Sequence, residues 1–319
     1  MSATTGTRVG AAPVEAVVTP SDLAAHASRH LGVALDPTTA RIDESGWDFL
    51  VTHLRATDGT WWILRQPRRA EAGARLAVEG AVLTAVRDRV PVPVPDWRLH
   101  TPRLVAYPRL AGEPAGVEDP HALVHDWSID PLAHPRNYLE PLARTLFAVH
   151  TTPSGDCPAP EGRERTDVGA LRARIADRLA RARVELPLPE AGVRRWARWL
   201  DEDRLWPERL TLVHGDVHPG HTLVTRSPDR PPTLAGLLDW ANAGVGDPAV
   251  DFVDMLYAGG PDVLDPLLAA YRAAGGEVRN GMRTHILARA SFLWVHVALR
   301  GLDTGRAGWV ETALERMGS

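Results

Sequence analysis

The spacing of apolar residues changes character near residue 108, and that change restricts the chain to a β-rich lobe followed by a helical one. Ahead of it, Phe49 to Leu54 and Thr60 to Arg65 are β-branched and aromatic runs joined by Ala56-Thr57-Asp58-Gly59. Asp-Gly between two such runs marks a hairpin. The whole stretch from Arg41 to Gln66 reads as β structure, and Trp97–Leu99 and Arg103–Tyr107 read as two more strands. A weak helical pattern runs from Asp22 to Leu35. A second helix is predicted from Glu71 to Val90, striped by Leu76, Val82, Leu83 and Val86 and stopped by prolines at 91, 93 and 95. Pro108-Arg109-Leu110-Ala111-Gly112 reads as a linker. Beyond it, Tyr138–His150, Val168–Leu186, Ala191–Leu200 and Arg283–Leu299 have amphipathic helical spacing, interrupted by a β-like segment from Leu210 to Trp240. The expected division is a tail over 1–20, a β-rich lobe over 21–107 and a helical lobe over 108–319, an α+β chain.

A formal net charge of −4 argues against a nucleic-acid binder. The single cysteine, Cys157, allows no intrachain disulfide. No apolar run reaches the length of a membrane span, and the first residues lack the charged start and apolar core of a signal peptide. The expectation is a cytoplasmic monomer with no membrane partner. All 36 basic residues are arginine. Biased codon composition explains this, but any phosphate clamp must then use the guanidinium fork.

Asp216 stands in His214-Gly215-Asp216-Val217-His218-Pro219-Gly220-His221, and Asp239 in Leu237-Leu238-Asp239-Trp240, on either side of a segment that reads as a hairpin. Phosphoryl transfer uses such a pair. One carboxylate on a tight loop accepts the proton of an attacking hydroxyl, and another holds the metal that screens a nucleotide's phosphates. The bland readings are a loop-capping aspartate at 216 and a helix cap at 239. Against them stand the specific context of Asp216 and the cost of burying an unpaired carboxylate at the end of an apolar strand. Magnesium is the expected ion, since it takes carboxylate and phosphate oxygens. His221 stands where a second oxygen ligand would be convenient. An imidazole is a poorer magnesium ligand, so weak coordination, action through water and a bond to phosphate all stay open. His214 is expected to orient the loop, and His218 to be structural. Taken instead as ligands, His214, Asp216, His218 and His221 describe a zinc hydrolase, a reading weakened by the lack of any further compact ligand cluster.

Arg65 is the candidate for phosphate contact. Glu79 on the following helix is its candidate ion-pair partner, against the plain alternative of a surface pair worth little. The turn Ser45-Gly46-Trp47-Asp48 can cover phosphates with backbone N–H groups. Most of the 11 tryptophans are expected in the core, with Trp127, Trp196, Trp199, Trp206 and Trp294 as candidates to line an acceptor pocket. Asp251 is expected to hold the catalytic loop by hydrogen bonds, with Asp247 nearby.

With these residues in hand, the chain resembles the aminoglycoside phosphotransferase-like kinases, and within them the macrolide 2'-phosphotransferases. The general family reads His-Gly-Asp-x-His-Pro-Gly-Asn; this chain has His221 in the last place, as the macrolide enzymes do. Further matching stretches are Gly46-Trp47-Asp48-Phe49, Trp62-Ile63-Leu64-Arg65-Gln66-Pro67-Arg68-Arg69, Val94-Pro95-Asp96-Trp97-Arg98 and Ala270-Tyr271-Arg272-Ala273-Ala274-Gly275-Gly276. The resemblance implies a bilobal protein-kinase-like fold, with GTP or ATP as donor, Mg2+ as cofactor and the 2'-hydroxyl of a macrolide as acceptor. It implies Asp216 as base, Asp239 and His221 as metal ligands, Arg65 and Glu79 at the phosphates, and Ala106-Tyr107-Pro108 as the hinge that meets the nucleobase. Two other readings are a kinase for an aminoglycoside or a hydroxylated metabolite, and a non-catalytic drug or nucleotide binder. An aminoglycoside pocket should be strongly acidic, whereas the helical lobe is rich in arginine and tryptophan.

Overall fold

Thr19 starts the first helix, α1 (Pro20–Leu31), by accepting the Asp22 N–H on its side chain at 3.2 Å; Pro20 presets the first turn, and Gly32 ends the helix with φ 66°. The computed structural model describes residues 19–44, 48–119, 124–155 and 167–318. Residues 1–18 of the expected tail, and Ser45 and Gly46, lie outside the described residues.

An antiparallel sheet follows, built from β1 (Leu35–Asp43), β2 (Phe49–Ala56), β3 (Trp61–Pro67), β4 (Leu99–Thr101) and β5 (Leu104–Pro108) in the order β1-β2-β3-β5-β4. The helix α2 (Ala70–Val86) lies between β3 and β4 in sequence. Leu23, Ala24 and Ala27 of α1 share one core with Leu54, Trp62, Leu64, Leu99 and Ala106 of the sheet. β1 begins at Leu35, well before the expected start at Arg41. Its register shifts between Asp36 and Arg41, which breaks the alternation that a sequence reading relies on.

Packing divides the chain into two units, Met1–Ala74 with Trp97–Arg109 and Arg75–Asp96 with Leu110–Ser319. The second unit contains β6 (Glu113–Pro114), a hairpin of β7 (Gly116–Asp119) and β8 (Val124–Trp127), and helices α3 (Leu139–Thr151), α4 (Val168–Glu185) and α5 (Glu190–Asp201). Then come β9 (Thr211–Val213), β10 (Thr222–Ser227), β11 (Arg230–Leu237) and β12 (Gly244–Gly246), and the helices α6 (Val253–Ala273), α7 (Met282–Thr304) and α8 (Ala307–Gly318). β11, β10 and β6 form a three-stranded sheet, and β9 pairs with β12. No described helix is long and apolar enough to cross a membrane.

Trp196, Trp199, Trp206 and Trp294 are buried together with Ile175, Leu179, Phe292 and Val295. Trp199 stacks on Trp206 with ring centroids 5.0 Å apart. These four rings join α4, α5 and α7 in one core. Each aromatic ring removes a large apolar area from water, which is why arginine-rich helices such as α4 still pack. α6 is broken where Gly260 takes φ 65° ahead of Pro261. Trp127 is half-buried, and its indole N–H donates to the Ala258 carbonyl at 2.7 Å, just before that break.

Candidate active site

The buried strand β9 delivers His214-Gly215-Asp216 to the end of the small β9–β12 pair. Asp251, fully buried, fixes this loop. It accepts the His214 N–H at 3.0 Å, the Gly215 N–H at 2.6 Å and the His150 Nε2–H at 2.9 Å. The other His150 nitrogen accepts the Tyr271 hydroxyl at 2.7 Å. Burial alone would raise the Asp251 pKa, but these donors outweigh it and hold the carboxyl below its ordinary range. Gly215 sits at φ 83°, and a Cβ there would lie 2.6 Å from the Asn242 carbonyl oxygen, so only glycine allows this turn. His214 Nε2–H donates to the Leu238 carbonyl at 2.8 Å while Nδ1 accepts the Asp216 N–H at 3.3 Å. Both His214 nitrogens are thus spent on joining the loop at 216 to the loop at 239.

Asp216 and Asp239 converge on His221. Its Nδ1 is 3.8 Å from Asp216 Oδ2, and its Nε2 is 3.6 Å from Asp239 Oδ2. The Nδ1–H donates to the Asp216 main-chain carbonyl at 2.9 Å, which turns Nε2 toward Asp239. Burial opposes a charge on His221, but the carboxylates of Asp239 and Asp216 outweigh it and raise its pKa. Asp216 is shifted upward as well, by burial first and by the Asp239 charge, against the pull of His221 and of the Asn242 amide, which donates to Oδ2 at 3.0 Å. A raised carboxylate is a better proton acceptor at neutral pH. Asp239 differs from expectation in two respects. β11 stops at Leu237, and Asp239 lies two residues beyond it with φ 55°, a left-handed conformation rare outside glycine. Its side chain is 42% exposed, and Oδ1 accepts the Ala241 N–H at 3.3 Å. A half-exposed carboxylate facing an imidazole nitrogen suits a hard divalent cation, with the oxygen as the stronger ligand.

Asp216, His218 and His221 place ligand-type atoms within 4.8 Å of one another, as do Glu118, His125 and His218. His218 Nδ1 accepts the Gly220 N–H at 3.1 Å, so the neutral ring carries its proton on Nε2, the atom a metal would need. A Cβ at Gly220 would press on that ring at 2.9 Å. Burial and the neighbouring His221, His125 and His214 depress the His218 pKa strongly. With His214 also committed on both nitrogens, the set expected for a zinc hydrolase is not assembled.

Arg65, Ala106 and Tyr107 belong to the first unit. Leu64 pairs with Ala106 and Ile63 with Tyr107 across β3 and β5, and Arg65 pairs with Val105. Arg65 does not end its strand, which runs to Pro67; it is buried, with its guanidinium 4.2 Å from the Phe49 ring centre. Glu79, on α2 in the second unit, is also buried. Asp247 turns out to be structural. It accepts from His285 Nε2 at 2.6 Å and Arg289 Nε at 2.8 Å, anchoring α7. Sequence reasoning missed Asn242, His150, Tyr271, Glu118 and His125. Only Asn242, three residues past Asp239, had a local signal in its position.

The model of the phosphotransferase enzyme family matches residues 39–285. The chain belongs to this family. It is 33% identical over 291 residues to the protein YcbJ of Bacillus subtilis strain 168, spanning 91% of this chain and 94% of that one. Among solved structures it is similar to the apoenzyme of macrolide 2'-phosphotransferase MphH from Brachybacterium faecium, with a TM-score of 0.78, 33% identity, and 93% and 97% of the two chains covered. It is also similar to a macrolide 2'-phosphotransferase type I, with a TM-score of 0.78, 35% identity, and 95% and 99% covered. The family gives the fold its class: α+β, protein-kinase-like, with a β-sheet N-terminal region and a helical C-terminal one. As a member the chain is a kinase-type phosphotransferase, and the two carboxylates around His221 stand where its phosphoryl chemistry is sought.

Proposed function

We propose that the chain is a macrolide kinase that transfers the γ-phosphoryl group of GTP or ATP to the 2'-hydroxyl of a macrolide's amino sugar. The convergence of Asp216 and Asp239 on His221, at 3.8 and 3.6 Å, carries this reading. Identity of 33–35% to two macrolide 2'-phosphotransferases over nearly the full length of each supports the acceptor class. Asp216 accepts the hydroxyl proton as the sugar oxygen attacks the γ-phosphorus. The new O–P bond forms, the bond to the bridging oxygen breaks, and the nucleoside diphosphate leaves. Asp239 and His221 are the residues that would hold magnesium, which supplies charge neutralisation at the phosphates. Arg65 is assigned to the phosphates with Glu79 as its partner, Ser45 and Gly46 to the turn above them, and Ala106 and Tyr107 to the nucleobase. The working division is a nucleotide lobe over 21–107 and an acceptor lobe over 108–319. Phosphorylation adds charge and bulk to the sugar where the drug must fit its target, which inactivates it.

The test is direct. Purified protein incubated with Mg2+, GTP or ATP, and erythromycin should add the mass of one phosphoryl group to the drug. Transfer to an aminoglycoside but to no macrolide would replace the acceptor; tight macrolide binding without nucleotide consumption would make the protein a binder.

A further inference from the structure

The stretch Ala270-Tyr271-Arg272-Ala273-Ala274-Gly275-Gly276, at the end of α6, holds none of the acids or phosphate contacts of the transfer reaction. Its local structure explains its two glycines. Gly276 N–H donates to the Tyr271 carbonyl at 2.9 Å and Gly275 N–H to the Arg272 carbonyl at 3.0 Å, which closes the helix with Gly275 at φ 104°. A side chain at 275 would be strained, and a Cβ at 276 would overlap the Tyr271 ring. The turn therefore clamps Tyr271 by its carbonyl and by its ring. Phe252, fully buried, packs edge to face against Tyr271 at 5.2 Å and against His150 at 6.2 Å between ring centres.

What the clamp holds in place is a hydroxyl. Tyr271 is buried and donates to His150 Nδ1 at 2.7 Å. Burial pushes the phenol pKa up and so keeps its proton available. A neutral imidazole that accepts at Nδ1 carries its own proton on Nε2. His150 Nε2 lies 2.9 Å from Asp251 Oδ2, so the hydroxyl selects the tautomer that donates to this carboxylate. The other tautomer would set a lone pair against a buried negative charge. Asp251 passes the constraint on. Its Oδ2 also accepts the His214 N–H at 3.0 Å, and its Oδ1 accepts the Gly215 N–H at 2.6 Å, one residue before Asp216. Because one oxygen serves both the imidazole and the His214 amide, a shift of the ring shifts the loop with it.

We propose that Tyr271 and His150 are positioning residues for phosphoryl transfer: the Tyr271 hydroxyl fixes the His150 tautomer, and through Asp251 that tautomer fixes the loop that presents Asp216. This rests on the reading of Asp216 as the base and is independent of the acceptor's class. Neither residue touches a substrate, and neither exchanges a proton with the reacting oxygen. The two glycines at the end of α6 thereby serve the active site, since they hold the hydroxyl on which the tautomer depends.

Tyr271→Phe tests this by removing one oxygen while keeping the clamped ring. With Mg2+, GTP or ATP, and erythromycin, kcat should fall about tenfold, less than a full ångström of misplacement brings, with KM for drug and nucleotide within about twofold of wild type. In His150→Gln the amide still accepts and donates, and it has no tautomer to select. That variant should keep kcat within about threefold, and adding Tyr271→Phe to it should cost about twofold or less. A hydroxyl that served packing alone would cost the same in both backgrounds, which would overturn the proposal. Nitrogen NMR of histidine-labelled protein should show His150 protonated on Nε2 in wild type and as a mixture of tautomers in Tyr271→Phe, with the Gly215 amide resonance displaced. An unchanged pattern would overturn the proposal as well. If wild type does not phosphorylate erythromycin, the macrolide reading falls, and the NMR comparison still decides the role of Tyr271. If Asp216→Ala turns over like wild type, the base reading falls and the positioning role falls with it.

Discussion

Asp216 and Asp251 lie within one hydrogen-bonded loop system and are shifted in opposite directions. Asp251 accepts three hydrogen bonds from two loop amides and an imidazole and is depressed, although it is fully buried. Asp216, whose side chain is 29% exposed, accepts one amide from Asn242 and is raised. Burial pushes both carboxyls up; the number of donors aimed at each decides the outcome. The fold spends its donors on the residue that holds the loop and withholds them from the residue proposed to react.

The sharpest way to break this contrast is to remove the raised acid. Asp216→Ala should lower turnover by roughly 10³- to 10⁴-fold, the upper range of general-base effects, with nucleotide affinity and thermal midpoint nearly unchanged. Near-normal single-turnover transfer would take Asp216 out of the mechanism.

Removing the depressed acid should act on folding instead. Asp251→Asn leaves buried donors facing a neutral amide, and should cost about 3 kcal/mol of stability, read from the urea midpoint. Activity should fall with it, since the loop at His214 and Gly215 loses its anchor. A variant that stays as stable as wild type while losing activity would make Asp251 a participant rather than a support.

The anchor was legible in the sequence in outline, and the reactive surroundings were not. Asp251 falls in a run of glycine, proline and apolar residues close to the motif, where a buried acid has few uses other than tying loops. The hairpin and helix periods of β2, β3, α3, α4 and α5 were readable because each presents an unbroken apolar face. β7 and β8 have four residues each, too few to show a period. Glu118 and His125 become neighbours only through cross-strand register. His150 and Tyr271 are 121 positions apart and meet only because α3 packs on α6. Most tryptophans were expected in the core, but which ones could not be read: an aromatic ring fits a core or a pocket equally well by composition, and tertiary packing alone put Trp196, Trp199, Trp206 and Trp294 in one cluster.

Acid titration sharpens the comparison. Asp247 and Asp251 have folded pKa values below the ordinary value of about 4. Below that pH the unfolded chain takes up protons that the folded chain refuses, so stability falls as pH falls through the depressed values. Asp254, raised well above its ordinary value, has the opposite sign: its penalty is present near neutral pH and is relieved as pH drops through its folded value. The depressed His218 has the same sign as Asp247 and Asp251, since below its ordinary value of about 6.5 the unfolded chain takes up a proton that the folded chain refuses. Unfolding free energy should therefore fall on acidification, with Asp254 opposing the fall near neutral pH. Asp251→Asn should flatten the fall at its acid end and Asp254→Asn should steepen it at its neutral end, by chemical denaturation from pH 3 to 8. Parallel curves for all three proteins would mean that these acids do not set the profile.

The smallest effect expected on stability comes from Asp239, and it isolates the contrast most cleanly. Asp239→Asn is the same chemical change as Asp251→Asn, made at a half-exposed side chain with φ 55°. Asparagine tolerates the left-handed region as well as aspartate does, and its amide oxygen can keep the Ala241 N–H. Losing the charge also relieves repulsion with Asp216. Stability should thus move by no more than about 0.5 kcal/mol, against the several lost at 251, while turnover at limiting Mg2+ drops and recovers in part as Mg2+ is raised. A stability loss at 239 equal to that at 251 would show that Asp239 is another anchor of the loop, and the metal would then have to be sought elsewhere.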